Sequence, residues 1–285
     1  MDAVELAWWL SNDAYTASRE AVTPFPELEW MGDVSVPNTL HFARLWRRNG
    51  LVLVAFRGTP SSGEGFGVNF MNDLVSLPGE PLRVKVHRGY WETFSPGLPE
   101  LTRHLNTKCN TSRDQFLVVG HSLGGCMAYL MAFHLAKLGV TSIQVLTFGS
   151  PKVGNEEFRA TYDALVPRTT LVQNPFDGFT RFPCADYIEN NVVGSARRLY
   201  SATTGAEQLS AVIGLVDHNK IEPLREYVHV GSVYPNGSWE LHPDAHYLEN
   251  YRPGAGGVPK SLVRAGSSLV AMSVAQSFAS WLSKS

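Results

Sequence analysis

The stretch Gly120-His121-Ser122-Leu123-Gly124-Gly125 carries the plainest chemistry in this chain. A serine with glycine two positions before and two after it suits a turn so tight that a Cβ on either flank would clash. Such a turn strains the serine backbone and presents its hydroxyl outward, as an oxygen nucleophile for an acyl carbonyl. A serine hydroxyl is a weak nucleophile unless a base takes its proton, and the base works best when a carboxylate orients it. Downstream stand carboxylates at Asp163, Asp177 and Asp186, and imidazoles at His218, His229, His242 and His246.

These groups need a frame. The apolar run Gln115–Val119 leads straight into the glycine-flanked serine, and Cys126–Leu138 follows it as a segment apolar nearly all round. Strand, sharp turn and buried helix are therefore expected in that order. The start of the helix would aim backbone N–H groups and a partial positive charge at a developing oxyanion. Leu51–Phe56, Ile143–Phe148 and Thr169–Gln173 read as further buried strands without clean alternation, as in a sheet covered on both faces. His41–Trp46 is a candidate hairpin partner across Arg48-Asn49-Gly50. Helical patterns at Pro99–Asn106 and Asn155–Asp163 lie between the strands, and strands alternating with helices argue for a mostly parallel sheet. Asp177 follows the last of these strands through Asn174-Pro175-Phe176, which places it at the carboxyl edge. Asp186 lies beyond Pro183, and Asp163 sits in the preceding helical stretch. Near the end, Ser267–Ser283 has the spacing of a helix with one apolar face.

Composition narrows the classes. The 285 residues carry 24 basic and 26 acidic side chains, a net charge of −2. That balance gives no reason to expect a nucleic-acid partner. With 44% hydrophobic residues, no internal repeat and no long linker, residues 1–285 are expected to form a single domain. No run approaches the roughly 18 apolar residues of a membrane span. The N-terminal MDAVELAWWLSNDAY has acids where a leader wants Lys or Arg. A cytoplasmic location is therefore expected, unless a leader has been removed. Cys109, Cys126 and Cys184 form no CxxC pair; Cys126 reads as core, and nothing in the sequence supports a Cys109–Cys184 disulfide.

Gly120–Gly125, followed by Phe148-Gly149-Ser150-Pro151-Lys152-Val153-Gly154-Asn155, closely resembles the class 3 lipase family. That family comprises fungal-type triacylglycerol lipases, feruloyl esterases and their plant and bacterial relatives. Val54-Ala55-Phe56-Arg57-Gly58-Thr59 looks like its oxyanion strand and loop. Asn69-Phe70-Met71-Asn72-Asp73-Leu74 looks like the end of its lid, and Val86-His87-Arg88-Gly89-Tyr90 like the strand that follows. The matched segments run in family order from about residue 50 to residue 251. The resemblance implies an α/β-hydrolase fold, with a mostly parallel central sheet and helices on both faces.

In that fold the triad runs Ser, Asp or Glu, then His along the chain. The family's segment is similar to Asn174 through Pro183, which supports Asp177. The stretch Asp244-Ala245-His246-Tyr247-Leu248-Glu249-Asn250-Tyr251 matches the segment around the catalytic histidine of plant-type relatives, so His246 is the expected base, with His242 next. His229 looks like part of a strand and is expected to pack, and His218 lies in a polar stretch. His41, His87, His104, His121 and His134 precede the acid and read as structural. The oxyanion donors implied are the backbone N–H groups of Leu123 and, by resemblance, Thr59. A lid over about residues 60–74 is expected to present Phe66, Val68 and Phe70, with Leu74 continuing the apolar face of a short helix. An insertion over about residues 184–226 holds an amphipathic stretch at Leu209, Val212, Ile213 and Val216.

The resemblance implies a serine carboxylic ester hydrolase, a lipase acting on acylglycerols or related lipid esters through an acyl-enzyme. A small-ester or feruloyl-type esterase, and a phospholipase, use the same triad. The lid implies transient contact with a lipid interface. Serine chemistry needs no cofactor. His242-Pro243-Asp244-Ala245-His246 resembles a metal clamp only if one loop makes an unusual turn, so no metal is expected.

Overall fold

The computed structural model describes residues 3–16, 24–36, 41–59, 74–174, 177–181, 183, 225–235 and 248–252. Along the chain these form α1 (Ala3–Asp13), β1 (Glu29–Ser35), β2 (His41–Arg48), β3 (Leu51–Phe56), β4 (Leu74–Ser76), β5 (Lys85–His87), α2 (Arg88–Phe94) and α3 (Leu98–Lys108). There follow β6 (Gln115–His121), α4 (Leu123–Lys137), β7 (Ile143–Phe148), α5 (Glu156–Leu165), β8 (Thr169–Gln173) and β9 (Ser232–Pro235), with short 3-10 turns at Ser95–Gly97, Gly178–Arg181 and Leu248–Tyr251.

The main sheet has seven strands in the order β1-β2-β3-β6-β7-β8-β9. β1, β2 and β3 pair antiparallel, while β3, β6, β7, β8 and β9 run parallel. The expected β2–β3 hairpin closes with Arg48 opposite Leu51. Asn49 and Gly50 both take positive φ, 44° and 80°, the geometry that matches strand twist in a two-residue hairpin.

Burial explains why the apolar runs lacked alternation. Successive residues of a strand point to opposite faces. Val52, Val54, Phe56, Phe116 and Val118 belong to one core, together with α4 and with residues of α2, α3 and α5. Leu51, Leu53, Ala55, Leu117 and Val119 belong to a second core, with Leu6, Ala7 and Leu10 of α1 and with Leu248 and Tyr251. Helices thus cover both faces. α4 lies against β3, β6 and β7 and also meets α2 and α5, so every side of it touches protein along most of its length.

α1 carried no motif in the sequence, yet it closes the second core. Its C-terminal end is tied down by Arg44, whose guanidinium sits 2.8 Å from both Asp13 and Asp33. That bridge joins α1, β1 and β2 through three charges largely withdrawn from water.

Three local expectations are corrected. The strand expected through Tyr90 ends at His87, because the His87 side chain accepts the Tyr90 N–H at 3.3 Å and caps α2. Leu74 does not continue a lid helix: it opens β4 and pairs with His87 of β5. His229 is not in a strand, for β9 begins at Ser232 and only Val228 makes an isolated bridge, to Gly154. The expected C-terminal helix at 267–283 and the amphipathic stretch around Leu209 lie outside the described residues.

Candidate active site

β6 delivers Ser122 to the carboxyl edge of the sheet. Ser122 adopts φ 55° and ψ −128°, a conformation that costs a non-glycine residue on the order of 1–3 kcal/mol. Packing enforces it. A Cβ on Gly120 would collide with the Gly124 carbonyl, and one on Gly124 with the Phe56 carbonyl at the end of β3. The Ser122 N–H donates to the Phe148 carbonyl at 2.9 Å, extending the β6–β7 ladder by one bond, and Gly125 N–H returns to the Ser122 carbonyl at 2.9 Å.

Leu123 is the first residue of α4, where a backbone N–H has no partner within the helix. Thr59 lies three residues past the end of β3 and is half-buried. The connecting Gly58 is wedged against the elbow: an added Cβ would lie 2.7 Å from the His121 carbonyl and would collide with the Tyr15 hydroxyl. The segment leading to Thr59 therefore packs on the same turn that carries Ser122 and Leu123.

Asp177 is 1% exposed and sits one short turn beyond β8. Its N–H donates to the Asn174 carbonyl at 3.0 Å. Its Oδ1 accepts the Phe179 N–H at 2.8 Å, and its Oδ2 accepts the Tyr251 hydroxyl at 2.6 Å. Burial first, and then the adjacent Asp177 carboxylate, hold the Tyr251 phenol well above its usual range, so it is the proton donor of that pair. Gly149 follows β7 with φ 56°, and a Cβ there would lie 2.9 Å from both Asp177 Oδ2 and the Tyr251 hydroxyl. The carboxylate thus reaches over the end of β7, whose Phe148 carbonyl is bonded to Ser122. Ser122, Gly149 and Asp177 are successive stations along one sheet edge.

His246, Phe66, Val68 and Phe70 lie outside the described residues. The segment two residues beyond His246 is fixed from two sides. Trp8 of α1 donates its indole N–H to the Leu248 carbonyl at 2.8 Å, and Tyr251 holds Asp177. Arg252 places its guanidinium 5.2 Å from the Trp8 ring centroid.

The other candidates are placed elsewhere. Asp163 accepts the Gly231 N–H at 2.8 Å from α5. His229 is driven down to about 4 by burial, and secondarily by Lys152, which makes it a poor base near neutrality. His121 is buried with Nδ1 2.9 Å from the Tyr15 hydroxyl. His87 caps α2, while burial lowers the pKa of His104 and His134. Asp186, His218 and His242 lie outside the described residues. Among those described, no group of three or more His, Cys, Asp or Glu side chains gathers to hold a metal, and no helix is long and apolar enough to cross a membrane. Cys109 and Cys126 are free thiols, and burial raises Cys109 to about 11.

Tyr15 and Tyr251 were not singled out in the sequence. Tyr251 had a signal, since it closes the motif around His246; Tyr15 had none.

A serine held at positive φ between a parallel strand and a buried helix, with a buried carboxylate past a later strand, defines an α/β-hydrolase fold. A solved structure described as a triacylglycerol lipase with a serine-protease triad at its catalytic centre shares this fold. It has a TM-score of 0.56 and 19% identity, covering 82% of this chain and 79% of that one. Residues 53–187 match the family pattern described as Lipase (class 3). A phospholipase A1 of Oryza sativa subsp. indica is 31% identical over 178 residues, 54% of this chain and 40% of the relative. A chloroplastic galactolipase of Arabidopsis thaliana is 28% identical over 188 residues, 56% of this chain and 39% of the relative. The chain therefore spans about two fifths of the length of these curated relatives.

Proposed function

We propose that this chain is a serine carboxylic ester hydrolase that cleaves acyl esters of glycerolipids, with Ser122, His246 and Asp177 as its triad. The observation that carries the proposal is the strained Ser122 backbone beside a buried, doubly hydrogen-bonded Asp177 at one sheet edge.

The chemistry follows from those positions. Ser122 Oγ attacks the ester carbonyl carbon while His246 takes the hydroxyl proton, and Asp177 stabilises the imidazolium. Charge gathers on the carbonyl oxygen, where the N–H groups of Leu123 and Thr59 receive it. The tetrahedral adduct collapses, the C–O bond to the alcohol breaks, and the imidazolium protonates the leaving oxygen. Water, deprotonated by His246, then releases the fatty acid and restores Ser122. No step calls for a cofactor.

Phe66, Val68 and Phe70 are proposed as apolar residues of a lid that meets the lipid interface. A phospholipase A1 or galactolipase specificity is the second reading, favoured by what the curated relatives are named for. The test is a panel of triacylglycerol, phosphatidylcholine and galactolipid, each presented below and above its aggregation limit, with released acids quantified. Hydrolysis of the polar lipids with a free 2-acyl lysolipid as product selects the second reading. Preference for triacylglycerol at an interface selects the first. Hydrolysis of soluble short esters alone selects an esterase. A fluorophosphonate that labels neither the wild type nor Ser122→Ala removes the enzyme reading altogether.

A further inference from the structure

Tyr251 occupies a position that the triad alone does not explain. Its ring is fully buried in the core closed by α1, and its hydroxyl reaches the ends of β7 and β8. It donates to Asp177 Oδ2 at 2.6 Å and accepts the Asn174 N–H at 3.3 Å, at the point where β8 gives way to the acid turn. Gly149, at the end of β7, keeps the space beside it clear: a Cβ there would stand 2.9 Å from the hydroxyl. Tyr251 also lies on the segment that follows His246 in the chain, whose other anchor is the Trp8 indole on the Leu248 carbonyl.

We infer that Tyr251 is a positioning residue for this enzyme: its hydroxyl fixes Asp177 Oδ2 and ties the acid turn to the segment that carries the base. This inference rests on the assignment of Asp177 and His246 to the triad. Two physical consequences follow. With Oδ2 engaged by Tyr251 and Oδ1 by Phe179 N–H, the carboxylate has a single rotamer, so the imidazole meets one fixed acceptor geometry. A neutral donor on the carboxylate also spreads its negative charge, which moderates how strongly it favours the imidazolium. The raised Tyr251 phenol keeps that donor protonated across the working pH range.

The experiment compares wild type, Tyr251→Phe, Asp177→Asn and the double variant on a soluble p-nitrophenyl ester, with thermal unfolding of each. Tyr251→Phe keeps the ring and removes only the hydroxyl. The expected result is a fall in kcat of about tenfold with KM nearly unchanged, the size of one hydrogen bond to a charged group. The acidic limb of kcat/KM should move to higher pH by about half a unit, because a less-solvated carboxylate holds the imidazolium proton more tightly. In the Asp177→Asn background the same change should have no further effect on kcat. An unchanged kcat and pH limb, or equal losses from Tyr251→Phe in both backgrounds, would overturn the inference, and so would a fall in melting temperature with no change in the limb. Failure of the triad assignment reads differently: Asp177→Asn itself would then keep activity near wild type.

Discussion

The Tyr15 hydroxyl stands 2.9 Å from Nδ1 of His121, the side chain just before Ser122. The two residues are 106 positions apart in the chain. The same hydroxyl presses on Gly58, so one phenol from the turn after α1 braces both the Ser122 turn and the segment that leads to Thr59. An oxyanion donor works only when it is placed before the charge develops, and on the role proposed for Thr59 the brace supplies that placement.

Tyr15→Phe removes the hydroxyl that meets both His121 and Gly58 but keeps the ring behind Gly58. About 1 kcal/mol of stability should go, with kcat within threefold of wild type. Tyr15→Ala removes the wall behind Gly58, and kcat should fall by about 10–100-fold, part of the roughly 100–1,000-fold worth of one oxyanion donor. Steady-state kinetics on a soluble ester measures both. Equal kcat for the two variants would count against a role in placing Thr59.

Gly124→Ala tests the contact between α4 and β3. Its Cβ meets the Phe56 carbonyl, which is backbone and cannot swing aside. The first turn of α4 must move, and Leu123 moves with it. Stability should drop by about 1–3 kcal/mol, as in an overpacked core. Fluorophosphonate labelling of the folded fraction should slow at least 100-fold by the loss of donor alignment. Labelling at the wild-type rate in a folded variant would mean that Leu123 is not held by this contact.

His229 predicts a pH dependence of folding rather than of catalysis. Its folded-state value is about 4 against an ordinary 6.5, chiefly through burial, so the folded state resists protonation more than the unfolded chain does. Above 6.5 both states are neutral and His229 exerts no pull. As pH falls from 6.5 towards 4, the unfolded chain takes up the proton first and stability declines. Below about 4 the contribution levels off. Chemical denaturation across that range should show a steeper acid decline for wild type than for His229→Gln. Parallel curves would show that His229 is not held neutral.

Much of this architecture is written in local pattern. β3, β7 and β8 occupy the expected residues because parallel strands buried on both faces must be continuous apolar runs bounded by polar turns. The turn at Ser122 was legible because glycine at 120 and 124 is a steric requirement of that geometry. The placement of Asp177 just past β8 was legible because the end of that strand fixes where a following carboxylate can reach the edge. Tyr15 and Tyr251 were not, since their value lies in hydroxyl partners far along the chain, which no periodicity records. α1 was missed for a related reason. Leu6, Ala7 and Leu10 have helical spacing, but their partners on β3 and β6 appear only on folding. The strand expected through Tyr90 stopped short because a side-chain cap at His87 outcompetes another strand residue.

The central claim is that Ser122, His246 and Asp177 act as one unit. Ser122→Ala, His246→Ala and Asp177→Asn, alone and combined, should be compared by kcat on a soluble ester. Ser122→Ala and His246→Ala should each cost nearly as much as the triple variant, roughly a million-fold, with Asp177→Asn about 10,000-fold down. Independent losses that multiply in the triple variant, or a His246→Ala enzyme with near-normal turnover, would contradict the account.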